Sequence, residues 1–183
     1  MTPAGRKGGQ GMDHGGDDEW TLTVVHEVGH AVVAMHYGAP GRLEFDASGA
    51  PMGGCAVERQ HEPTGQAGVC YGYAGAAAEL LWLDRDGEGG FMGTDEGRFA
   101  ALGFLASPSP EDFELIGDLR NAAAEIARTK AEFLEACGIL RREWLTLAGM
   151  VAAIEPRGRG GVYWFAPGTG LLAMLPETAG GEA

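Results

Sequence analysis

Cations, cysteines and long apolar runs are scarce in this chain, and each scarcity excludes something. Only 13 Lys and Arg stand against 26 Asp and Glu in 183 residues, a formal net charge of -13. Such a surface repels phosphate backbones and anionic lipid, so neither nucleic acid nor a membrane surface is an expected partner. The three cysteines, Cys55, Cys70 and Cys137, show no C-x-x-C spacing. An odd, unpaired set excludes a four-cysteine metal site, argues against a disulfide framework and suits a reducing compartment. No apolar run reaches the ~18 residues of a membrane helix. The nearest approach, 69–83, is interrupted by Gly72, Gly75 and Glu79. Met1 to Gly16 is Gly-rich and polar, without the apolar segment of a secretory leader. The expected location is the cytoplasm. A G-x-x-x-x-G-K-[ST] phosphate loop is also missing, so the chain carries no nucleotide-driven motor of that kind.

What is there is a globular composition, 45% hydrophobic, long enough for one domain with a core. Its most informative stretch is His26-Glu27-Val28-Gly29-His30. Chance supplies such an H-E-x-x-H about 0.01 times in a chain of this length. Two imidazoles four residues apart share one face of a helix, one turn apart. Both can then reach a single Zn²⁺ at about 2.0–2.1 Å. Glu27 points to the side of the metal, about 100° around the helix, where it can take a proton from a water molecule. Val24, Val25, Val28, Ala31, Val32 and Ala34 predict that this helix, about Thr21 to Tyr37, is buried. Gly38-Ala39-Pro40 ends it. His36, six residues past His30, falls on the far side.

In chain order, residues 1–16 read as a flexible tail, 17–155 as the domain and 156–183 as a Gly- and Pro-rich tail. His14 reads as a solvated residue of the first tail. Arg42–Asp46 and Gly54–Glu58 read as a β-hairpin or small sheet. His61 follows in a polar loop. A second helix, about Val69 to Trp82, is rich in Gly and Ala and so predicts close packing on the zinc helix. Its Glu79 is either a carboxylate meeting solvent or an outer partner that fixes the tautomer of a ligating histidine. Thr94 caps a short helix from Asp95 to about Ala106. Ser109 and Pro110 start a long one to about Cys137, ended or bent by Gly138, and a last helix runs from about Ile139 to Ile154. Val162-Tyr163-Trp164-Phe165 is an aromatic segment that either docks on the domain or meets a partner. The fold class expected is mainly α (α+β), a helical zincin-like domain with a small sheet.

A catalytic zinc site needs three protein ligands and one open position. Asp95, Asp112, Glu79 and His61 are the candidates for the third. His26-Glu27-Val28-Gly29-His30-Ala31 resembles the H-E-A-G-H-A motif of the FtsH-type zinc peptidases. Tyr73-Ala74-Gly75-Ala76-Ala77-Ala78-Glu79 is similar to that family's G-G-R-A-A-E-E helix, and Gly93-Thr94-Asp95 occupies the place of its S-N-D motif. Leu80 and Glu96 depart from the pattern. The likeness spans about residues 20–155 and lacks the AAA+ ATPase module beside which those peptidases normally sit. It implies a Zn²⁺ held by His26, His30 and Asp95, with Glu27 as general base. The function expected is a zinc metalloendopeptidase acting on peptides or unfolded polypeptide, with homo-oligomerisation left open. The alternative is an inactive, zinc-containing FtsH-like interaction module.

Overall fold

The computed structural model describes residues 15–46, 52–85, 93–103, 106, 108–117, 121–158 and 160–168. Most of the first tail with His14, most of the 84–93 loop and the end of the chain lie outside them. Helix α1 (Gly15–His36) is the centre of the molecule. Val24, Val25, Val28 and the run Ala31–Ala34 are all buried, as an apolar helix surrounded on most sides requires. Helix α2 (Gln66–Leu83) packs along it, buried through its Gly and Ala residues. The approach is close enough that a Cβ on Gly29 of α1 would lie 2.6 Å from the Ala74 carbonyl oxygen and the Ala78 methyl.

Strands β1 (Gly41–Phe45) and β2 (Gly53–Val57) form the expected antiparallel hairpin. The sheet has a third strand, β3 (Gly161–Phe165), paired antiparallel to the other edge of β1, giving the order β2-β1-β3. The domain therefore does not end at 155: the aromatic segment of the supposed tail belongs to the sheet. Its Tyr163 and Phe165 are buried beside Leu43 and Phe45, and Trp20 of α1 meets Phe45 edge-on at 5.3 Å.

The remaining helices are α3 (Asp95–Ala101), α4 (Pro110–Ile116), α5 (Ala122–Arg128), α6 (Lys130–Arg142) and α7 (Trp144–Ile154). The single long helix expected from Pro110 is thus three pieces. Gly138 lies inside α6, and the break near it falls at Glu143 instead. At Thr129 the hydroxyl donates back to the Glu125 carbonyl at 2.7 Å and is bonded to Tyr73 of α2 at 2.6 Å, fixing the joint between α5 and α6. Among the described residues no helix is long and apolar enough to cross a membrane.

Candidate metal centre

The site is built where three helices meet. On α1, His26 and His30 present their rings to α2. On α2, Tyr71, Gly75 and Glu79 recur every four residues and so form one stripe facing those rings. His30 Nδ1 donates to the Tyr71 carbonyl at 2.9 Å, and His26 Nδ1 is 2.5 Å from Glu79 Oε1. A carbonyl and a carboxylate can only accept, so both Nδ1 atoms carry a proton, and each neutral imidazole then has its Nε2 lone pair available. Glu79 therefore faces His26 rather than solvent.

Gly75 provides the room. A Cβ there would stand 2.3 Å from His26 Nε2, so the ring lies directly against the α2 backbone. Gly72 does the same one turn earlier for α4: its Cβ would meet the Asp112 carbonyl oxygen at 2.9 Å. This close approach delivers Asp112 to the histidines. Its carboxylate is 3.4 Å from His26 Nε2 and 3.2 Å from His30 Nε2, while the two Nε2 atoms are 3.3 Å apart. Ser109 and Asp112 also form a reciprocal capping box, with Ser109 N donating to Asp112 Oδ2 at 2.8 Å, which fixes the carboxylate before any ligand arrives.

Asp95 is not at this centre. It lies on α3, where Arg141 of α6 grips it with two bonds of 2.6 and 2.8 Å and Arg98 adds a third at 3.1 Å. The bonds to Arg141 lead the effects that hold its carboxyl below the usual range. Arg98 is buried and also pairs with Asp84. Asp95 thus joins helices, and the third carboxylate beside the histidines is Asp112. His61 is exposed and 3.4 Å from Glu58, away from the rings, and His36 is exposed against Tyr37.

Together His26, His30 and Asp112 could hold a metal ion. Three donors at tetrahedral angles, each about 2.0–2.1 Å from one Zn²⁺, are separated from each other by about 3.3–3.4 Å. The Nε2–Nε2 separation of 3.3 Å matches one edge of such a tetrahedron; Asp112 meets His26 through Oδ2 at 3.4 Å and His30 through Oδ1 at 3.2 Å, and one donor atom from each of the three residues lies within 4.8 Å of the other two. The electrostatics point the same way. Two Nε2 lone pairs and a carboxylate facing one spot repel unless a cation joins them. Without a metal ion a proton serves: burial lowers the His26 pKa, but the bonds to Asp112 and Glu79 and the charge of Glu27 overcome it and raise it to about 10, so a metal ion must displace that proton from Nε2. Burial likewise opposes ionisation of Asp112, yet the two imidazoles and the Ser109 amide hold its carboxyl well below the usual range.

Glu27 is 9% exposed, and its carboxylate has no hydrogen bond or ion pair among the described residues. Burial raises its pKa, with the two imidazoles in partial opposition. With His26, His30 and Asp112 it lines a cleft of about 590 Å³, walled by β2 on one side and the start of α4 on the other. β2 comes so near that a Cβ on Gly53 would lie 2.7 Å from Glu27 Cγ.

Among the described residues β2 is an edge strand, and its outward row can be identified. Glu58 N donates to the Pro40 carbonyl and Asp46 N to the Met52 carbonyl, so the even-numbered residues bond to β1. The N–H and C=O groups of Gly53, Cys55 and Val57 then point away from the sheet. The Tyr71 hydroxyl reaches the Cys55 carbonyl from that side at 3.3 Å. β1, between β2 and β3, has both edges occupied. Comparison of the chain with models of known families and with curated proteins finds no match.

Proposed function

We propose that the protein is a zinc-dependent peptidase acting on extended, unstructured polypeptide. The observation that carries this reading is the convergence of His26 Nε2, His30 Nε2 and the Asp112 carboxylate on one point, beside the unpartnered carboxylate of Glu27 and in a cleft edged by a free strand. Two imidazoles and one carboxylate, with outer acceptors on both Nδ1 atoms, are a donor set suited to Zn²⁺ with a fourth position open. The likeness of the H-E-x-x-H helix and of the Glu79 helix to FtsH-type peptidases supports the same reading. A zinc ion bound there supplies Lewis acidity toward the scissile carbonyl and lowers the pKa of the attacking water.

The chain's own residues do the rest. The outward N–H and C=O groups of Gly53, Cys55 and Val57 hold the substrate as an added strand along the cleft. Glu27 takes a proton from the attacking water and hands it to the leaving amine, a transfer favoured by a carboxyl whose pKa burial has raised. Glu79 and the Tyr71 carbonyl hold the two imidazoles in the tautomer and orientation this needs. The free state of Cys55, Cys70 and Cys137 suits a cytoplasmic setting.

Metal analysis with a proteolysis assay tests the proposal. The purified protein should hold about one Zn²⁺ per chain and should cut an unfolded substrate such as casein in a chelator-sensitive way. His26→Ala and His30→Ala should lose both metal and cleavage. Full zinc loading with no cleavage across a broad peptide library would turn the reading to a zinc-containing interaction module.

A further inference from the structure

The cleft has a charge pattern that its catalytic floor does not require. Glu111 and Glu114, three residues apart on α4, are neighbours on one face of that helix and line the wall opposite β2. Glu62, after the turn that follows β2, lines the cleft as well. All three carboxylates are exposed, and none has an ion pair or hydrogen bond among the described residues. Against them, Arg59 is the only Lys or Arg of the cleft lining among the described residues. Carboxylates used for stability here, such as Asp95 and Glu125, are gripped by arginines; these three are not. They share the cleft with the buried, unpartnered Glu27 and with the outward backbone row of Gly53, Cys55 and Val57, which independently calls for an extended peptide.

We propose that the cleft selects peptides bearing lysine or arginine side chains, the main chain lying along β2 and the cationic side chains reaching Glu111, Glu114 and Glu62. The inference rests on the peptidase reading for its substrate class and goes beyond it in naming the side chains chosen. Adjacent residues of an extended peptide point to opposite sides. Alternate side chains therefore face α4 while the main chain stays paired with β2. The overall charge of -13 adds a long-range attraction for such a substrate.

Binding separates this inference from catalysis. Zinc-loaded, full-length Glu27→Gln protein is titrated with fluorescent ten-residue peptides that differ only in carrying three Lys or three Glu. An exposed ion pair contributes at most about fivefold in affinity, so two of them predict a Lys-over-Glu preference of up to about 25-fold at low salt, shrinking toward physiological ionic strength. The double substitution Glu111→Gln and Glu114→Gln lies on exposed positions, leaves the capping box intact and should remove most of the preference. Equal binding of both peptides, binding of neither, or a preference unchanged in the double variant overturns the inference. Wild-type protein assayed on the same peptides reports on the underlying reading. Cleavage without preference sinks only the selectivity, and preferential binding without cleavage sinks only the peptidase.

Discussion

Gly75→Ala adds one methyl group where the structure has no space for one. The new carbon would stand 2.3, 2.4 and 2.5 Å from three atoms of the His26 ring, and ordinary contact starts at 3.4 Å. The ring must move about 1.1 Å, or α2 must retreat by as much. Retreat is costly, because the same helix face packs on α1 at Gly29 and carries Glu79 at 2.5 Å from His26 Nδ1. A metal site tolerates only about 0.2 Å in its bond lengths. Outer-partner losses alone cost about 10–100-fold in affinity, so a displaced ligand should cost at least about 100-fold. Helix propensity works the other way, favouring Ala by about 0.5–1 kcal/mol, so the fold survives if the ring rather than the helix gives way. Zinc affinity measured by competition with a chelating indicator, alongside circular dichroism, reads both effects. Gly54→Ala, whose Cβ would meet nothing within 4 Å, is the control. Zinc affinity within about twofold of wild type in a folded Gly75→Ala protein, where about 100-fold is expected, would refute the packing argument.

Three further outcomes are expected. Asp112→Ala should abolish stoichiometric zinc binding while Asp95→Ala should keep it, by metal analysis of the two proteins. Asp95→Asn should instead lower stability by about 1 kcal/mol, the upper end for a solvent-screened ion pair. Because Asp95's carboxyl is depressed in the fold, chiefly by Arg141, its contribution is present above the ordinary value of 3.8 and is lost as pH falls below it; denaturant titrations of Asp95→Asn should show a shallower acid loss than wild type. A chain ending at Arg157 removes β3 with buried Tyr163 and Phe165, and at about 1.5–3 kcal/mol for each buried side chain the sheet should be destabilised by several kcal/mol, read as a drop in Tm.

Much of this was readable before any coordinates. His26, Glu27 and His30 lie within five residues, and helical geometry alone turns their spacing into a shared face. The β1–β2 hairpin is legible for the same reason, its two strands lying close together in the sequence. Asp112 was harder, because its role depends on α4 meeting α2 at Gly72, a contact between residues forty apart. Family spacing favoured Asp95, which has the same helix-start chemistry but faces Arg141. The sign that could have separated them is the Ser109-Pro110-Glu111-Asp112 start, where a capping box pins the carboxylate. The four-residue spacing of Tyr71, Gly75 and Glu79 likewise marks one helix face. The pairing of β3 is not legible, because its partner strand is some 120 residues earlier and nothing local in Val162–Phe165 announces it. The break at Thr129 likewise depends on Tyr73, a residue on another helix.

The central claim is that Glu27 supplies the base at a zinc centre formed by its neighbours. Glu27→Gln keeps the shape of the side chain and none of the ligands changes. The decisive measurement is hydrolysis of an unstructured polypeptide by wild type and Glu27→Gln, each verified to carry the same zinc. The account predicts equal metal content and folding, with turnover lower by at least the ~10²–10⁴-fold of general base catalysis in the variant. Equal turnover at equal zinc loading would contradict it.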